Sequence, residues 1–391
     1  MSSVIDNYLE LARAAKNAGN NAQCEQYCNR ILEIENNNAV AWALKGSAAG
    51  WQSSLAAPRI EEMLVCYGSA ISYAANADLA NTFKEMASMD YMNVVVALFD
   101  LQCDRFTKWP DQEEVAAFMN LYKSVLAAGL NMWKRSGVLL QCASDSKELN
   151  EILAVKINNS AIDAERTVRQ EYETANNGHP LQYNFQQLLS KEGQCFNLLQ
   201  FATTLDESRD GNIEIWRNMI RVHEYCMSAC AYGWNVQFSY YQKELTLSED
   251  AVRIRKDEIR KLNQKISAAQ ERIRQRKNDA YWAAHVEEKN TLEKERNELA
   301  DERERLEKER ACSEQSDGLR QVQKEIRKLE QHKASLSFFA LRERKELNAQ
   351  IAEKQAALEK IQSMLLGPID ERLQQIDERT QWIINELTRD R

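Results

Sequence analysis

The stretch NAQCEQYCNRILEIENNNAVAWALKG, residues 21–46, lies between two matched pairs of residues. Tyr8 and Trp42 are 34 positions apart, and so are Ala12 and Gly46. A large residue followed four places later by a small one puts both on one helical face, and the return of that pair implies a repeated helical hairpin. The rest of the chain agrees with a helical reading. Its 391 residues include only 12 glycines and 4 prolines, too few turn formers for a sheet-rich fold. The Asp317–Gly318 pair joins two helical patterns rather than two alternating strands. The expected class is all-α.

This register resembles the tetratricopeptide repeat (TPR), whose period is 34 residues. Tyr8 and Trp42 match its large fourth position, Ala12 and Gly46 its small eighth, and Leu11 its leucine at seven. Lys45 departs from that leucine, Cys24, Cys28 and Ile31 fill the later positions, and Asn36 stands where proline is usual. The second copy departs further: its CYGSAISYA (66–74) supplies Tyr67 and Ala70 with the right mutual spacing but five residues late, after the loop-like SSLAAPRI (53–60). The resemblance implies stacked hairpins with a peptide-binding inner face. That face would carry Leu9, Arg13, Lys16 and Asn17 from the first copy, and Ala43, Ser47 and Trp51 from the second. The clamp that binds chaperone C-termini has lysine and asparagine where this chain has Leu9 and Arg13, so that specificity is not implied. Read from the residues alone, a plain pair of α-hairpins without a groove stays open.

Composition divides the remainder. Residues 1–250 hold 20 Lys/Arg and 31 Asp/Glu, a net −11, whereas residues 251–391 hold 31 and 28, a net +3. Three regions are expected: TPR-like hairpins at 1–77, a helical bundle or solenoid continuation at 78–246, and an antiparallel coiled coil at 247–391. Apolar runs place helices at 79–106, 112–136, 147–176, 181–204 and 211–246, separated by breakers such as Trp109-Pro110-Asp111 and Gly178-His179-Pro180.

From Val252 onward apolar residues follow three/four spacing through Ile259, Leu262, Ile266, Ala269 and Ile273, the seam of a coiled coil. Later seams run through Leu347, Ile351, Leu358 and Ile361, and through Ile369, Ile376 and Ile383. A fold at Asp317–Gly318 would make an antiparallel hairpin, and Gly367–Pro368 would end its second strand. A short third helix would then double back at the base, bringing Trp382 and Ile383 to Tyr281 and Trp282. Phe338 and Phe339 are expected to pack in the coiled coil. Their segment, SFFALRERKELNAQI, resembles one in uncharacterised bacterial coiled-coil proteins that carry TPR-like regions, on the residues Phe338, Phe339, Arg344, Lys345, Leu347, Gln350 and Ile351.

Signs of chemistry are sparse. His223, Cys226 and Cys230 have i, i+3, i+7 spacing on an expected helix and offer three metal ligands, but no fourth is near in sequence, so no metal or other cofactor is expected. The aromatic run at 216–241 reads as core, with a ligand pocket or enzyme site there as the alternative. No Gly-rich phosphate loop, His-Glu-x-x-His or Gly-x-Ser-x-Gly occurs. Arg272, Arg274, Arg276 and Lys277 suggest a nucleic-acid-associated coiled coil as a second alternative, which the acidic balance opposes. Nine cysteines at irregular spacing suit buried, reduced thiols. No signal peptide or membrane-spanning run is legible, so a cytoplasmic protein without membrane association is expected. The expected function is therefore a non-enzymatic interaction scaffold, binding protein partners through the body and open to self-association through the coiled coil.

Overall fold

The computed structural model describes residues 2–136, 142–205, 210–336 and 341–389, with side chains omitted at 2–3 and 130–146. Among them are 13 helices and one two-stranded sheet, an all-α protein. Cα proximity divides the chain into two compact units, 1–270 and 271–391.

The first unit begins with α1 (Ser2–Asn17), α2 (Asn21–Ile34), α3 (Ala39–Gly50) and α4 (Ile60–Ser72). Asn20 and Asn38 start α2 and α3 by accepting hydrogen bonds from the amides of Gln23 and Ala41, at 3.1 and 3.0 Å, which satisfies orphan first-turn donors. Each helix packs on the next in sequence. Longer helices follow: α5 (Ala77–Lys108), α6 (Gln112–Ser136), α7 (Cys142–Thr174), α8 (Gln182–Ala202) and α9 (Asn212–Ser228). The expected 137–146 loop is thus helical from Cys142. One core joins α3 through α9, centred on Phe99, Phe106, Phe118, Leu153, Ile157, Leu198 and Leu199, all fully buried.

The expected helix through 211–246 stops at Ser228. An antiparallel β-hairpin replaces its second half, with β1 (Ala231–Asn235) and β2 (Tyr240–Leu245). Tyr232, Trp234, Tyr240 and Tyr241 are good strand formers. The loop between the strands needs no Asn-Gly pair. Asn235 Oδ1 accepts the Phe238 amide at 3.1 Å, and Ser239 takes the left-handed φ of 55°.

The next helix, α10 (Glu249–Ala284), spans the division at residue 270. Leu262, Ile266 and Ala269 belong to the core of the first unit, not to a coiled-coil seam as expected, and Ile259 is half-buried. Their three/four spacing is real, but it faces the helices of the body. A heptad pattern alone does not say which neighbour covers it.

In the second unit, α11 (Val286–Glu314) and α12 (Asp317–Ser335) form one strand of a helical hairpin, and α13 (Leu341–Thr388) forms the other. The chain does not reverse at Asp317–Gly318. Inter-helix ion pairs set an antiparallel register: Lys354–Glu325 at 2.8 Å, Asp370–Arg310 at 2.7 Å, Asp377–Arg303 at 3.1 Å and Arg379–Glu295 at 2.7 Å. α12 and α13 therefore run antiparallel. Phe338 and Phe339 lie outside the described residues.

Nor does Gly367–Pro368 end a helix. Pro368 sits inside the 48-residue α13, so residues 369–387 continue it and there is no third helix doubling back. A proline ring removes one hydrogen bond and frees the carbonyl four residues earlier. Here both Pro368 and Met364 are exposed, and water can satisfy that carbonyl. Ile383 does reach Trp282, in a cluster with Leu292, but because α13 runs back along α11. Leu347 and Ile351 are buried, while Ile273, Leu358 and Ile361 are half-buried.

Candidate functional site

Two regions of the first unit combine distinctive side chains with a defined geometry. At the N-terminus, Ala12 is fully buried in a cluster with Cys24, Cys28, Leu44 and Ala48. Gly46 takes the corresponding place between α3 and α4. A Cβ there would stand 3.0 Å from the Met63 carbonyl oxygen and 3.1 Å from Cys66 Cβ, tighter than ordinary contact, so α4 would have to give by a few tenths of an ångström. The large residues 34 positions apart lie half-buried. Tyr8 stacks on Tyr27, and Trp42 Nε1 donates to the Asn36 carbonyl at 2.8 Å.

The residues expected on an inner face separate sharply. Ala43 and Ser47 are 1% and 0% exposed, which leaves them no surface for a partner. Leu9 and Lys16 are half-buried, Arg13 and Asn17 are exposed, and Trp51 is 45% exposed at the end of α3.

The second region lies where α7, α8 and α9 meet. Glu192 is fully buried, and neither of its carboxylate oxygens has a hydrogen-bond partner. Glu165, 2% exposed, contacts Arg169, with Arg221 at 3.4 Å. Arg169 Nε stands 3.7 Å from Glu192, beyond hydrogen-bond reach, and its guanidinium lies 4.0 Å from the Tyr225 ring centroid. Burial, and then the neighbouring Glu165, push the Glu192 carboxyl up to about 8; burial also raises Glu165. Glu192 thus holds a proton at neutral pH, and the arrangement stores a proton rather than a charge.

His223 and Cys226 adjoin this cluster, but the expected ligand triad does not form. The helix ends at Ser228, so Cys230 leaves their face, and its carbonyl accepts the Tyr172 hydroxyl. Arg255 donates to His223 Nδ1 at 2.9 Å; burial and that cation push the imidazole down to about 4. Burial pushes Cys226 up to about 11, leaving an unreactive thiol. Among the described residues no group of three or more His, Cys, Asp or Glu side chains is placed to hold a metal ion. Arg274, in the basic run, pairs with Glu271 at 2.8 Å.

Sequence reasoning passed over Glu165 and Glu192. The signal was present: in α8 the core positions Leu188, Glu192, Cys195 and Leu199 share one face, and glutamate is the odd member. It also passed over the aromatic exterior of the β-hairpin. Trp234 meets Tyr241 edge to face at 4.6 Å between centroids, and His179 stacks on Tyr241 at 4.8 Å. Here the signal was the period-two spacing of Tyr232, Trp234 and Val236.

No family model matches the sequence, and no curated protein matches it. Among solved structures, a de novo designed 16-helix transmembrane nanopore is similar over 97% of this chain and 99% of that chain, at 11% identity and a TM-score of 0.18. At that score the likeness carries no argument about fold or function. Among the described residues no helix is long and apolar enough to cross a membrane.

Proposed function

We propose that the chain is a non-enzymatic cytoplasmic adaptor that binds a segment of another protein on TPR-like N-terminal hairpins, with the C-terminal coiled coil as a spacer. The observation that carries this reading is the equivalence of Ala12 and Gly46. Residues 34 apart in sequence are both small and face the paired helix of their own hairpin: Ala12 is buried with Cys24 and Cys28 of α2, and Gly46 lies against Met63 and Cys66 of α4, which supports a TPR-like reading. The burial of Ala43 and Ser47 narrows the contact surface to Arg13 and Asn17 on α1, with Leu9 and Lys16 beside them and Trp51 after α3.

The test is a photo-crosslinking amino acid placed at Asn17 or Trp51 of the full chain, expressed in the cells that normally make it. Exposed Glu359 on α13 serves as the control position. A discrete adduct at Asn17 and Trp51, absent at Glu359 and lost when Arg13→Glu is added, supports the reading. Equal labelling at all three positions, or no adduct, overturns it.

A further inference from the structure

The β-hairpin is fixed at its base and apolar at its tip. Ala231 is buried, and Leu245 half-buried, in a cluster with Tyr172, Phe185 and Leu188. The Tyr232 amide donates to the Pro180 carbonyl at 2.7 Å, and His179 stacks on Tyr241. Val236 stands five residues beyond Ala231, about 16 Å along an extended chain. At that end Trp234 is 50% exposed, Val236 81%, Phe238 60% and Tyr240 49%, and none of residues 234–241 belongs to a core cluster. Large apolar side chains held in water at the end of a fixed support mark a contact surface.

We infer that this tip inserts into the interfacial layer of an electrically neutral lipid bilayer. Three observations favour a lipid surface over a protein groove. First, apolar side chains surround the tip instead of lying on one side. Trp234 and Tyr241 oppose each other on one face, at 4.6 Å between ring centroids, while Tyr240 lies on the other face and meets Phe238 at 5.9 Å. A groove covers one face, whereas a bilayer surrounds them all. Second, polarity changes in layers along the hairpin: Val236 and Phe238 at the tip, Trp234, Tyr240 and Tyr241 behind them, then Lys243 and Glu244 toward the base. That is the order of acyl boundary, aromatic belt and headgroups. Third, residues 234–242 carry no charge that insertion would have to desolvate. Asn235 spends its side chain inside the hairpin, accepting from the Phe238 amide and donating to Gln242.

Charge selects the lipid. Lys243 and Glu244 cancel, and residues 1–250 carry a net −11, so anionic headgroups offer the hairpin no attraction. Burial of apolar side chains is then the driving force, and salt does not screen it. The unpaired backbone groups of the loop stay at headgroup depth, where water satisfies them. A wedge of this size needs no spanning segment, the feature on which the expectation against membrane association rested. The contact uses none of the residues proposed to bind a protein partner, so either reading can fail without the other.

Flotation of the full chain with phosphatidylcholine vesicles tests this. The protein should float with the vesicles, equally at low and high salt, and no better when phosphatidylserine is added to them. Val236→Ser combined with Phe238→Ser should lower the partition coefficient by at least about tenfold, since two apolar side chains lose their burial. Unchanged circular dichroism would show that this variant folds. A nitrobenzoxadiazole dye on Gln237→Cys, in a Cys312→Ser background that removes an exposed native thiol, should brighten and shift to the blue with vesicles. The same dye on Glu359→Cys should not. A chain that fails to float at millimolar lipid overturns the inference. So does binding that the double serine variant retains, or binding that phosphatidylserine strengthens. A dye at residue 237 that stays in water beside vesicles but is shielded by another protein overturns it as well.

Discussion

Glu192 shows how one residue can set the pH response of a helical body. Its carboxyl is raised to about 8 by burial and by Glu165, against an ordinary value of 4.5. The folded state therefore keeps a proton that the unfolded chain has released. Stability falls as pH climbs through that interval and levels off above it. Arg169, Arg221 and Arg255 face the site and moderate the loss without removing it. Glu192→Gln should flatten the dependence and stabilise the protein at pH 9 by a few kcal/mol, on the order of the shift it removes. Thermal melts between pH 5 and 9 would show this; parallel curves for both proteins would refute it. The residue was visible in the sequence as a glutamate on an apolar face. What could not be read is that α7 brings a second carboxylate to meet it, because that depends on how helices far apart in sequence pair. For the same reason Ala12 and Gly46 were legible as small positions, while the burial of Ala43 and Ser47 was not.

At the scale of elements, helix limits were largely legible because apolar periodicity and breakers act locally. The run read at 112–136 matches α6 at both ends, and 181–204 differs from α8 by one or two residues. Two readings failed where local rules compete. Gly367–Pro368 is a good stop signal, yet α13 continues through it because packing along α11 and α12 on either side outweighs one lost hydrogen bond. Asp317–Gly318 breaks a helix without reversing the chain, since a helix break sets no direction by itself. Pro368→Ala should restore the missing bond and remove the ring clash, stabilising the second unit by about 1–3 kcal/mol. Chemical denaturation followed by helix content would measure it; a loss of stability would mean that packing in the second unit requires the interruption.

Across the whole molecule, the two compact units, which divide at residue 270 rather than at the charge shift near residue 250, respond oppositely to acid. In the second unit, hydrogen bonds from Arg379, Arg372 and Lys354 hold Glu295, Glu302 and Glu325 below the usual carboxylate range. That stabilisation is present above the unfolded value and is lost as pH falls through the folded one. These pairs are exposed, so each effect is small and screened by salt. In the first unit the Glu192 effect has the opposite sign. Hydrogen–deuterium exchange, followed peptide by peptide, should show residues 1–270 loosening as pH rises from 6 to 9, after correction for intrinsic exchange. Residues 286–388 should loosen instead below about pH 4.5. A common response in both units would contradict this. The helical hairpin has a mechanical property as well. The ion-pair register places the α11–α12 break at Gln315 and Ser316 opposite Met364 and Leu365, the turn whose carbonyl Pro368 frees. The α11–α12 break and the one missing backbone bond of the continuous α13 fall at one level. Under load, the rod would bend there like a jointed limb rather than flex evenly along its length.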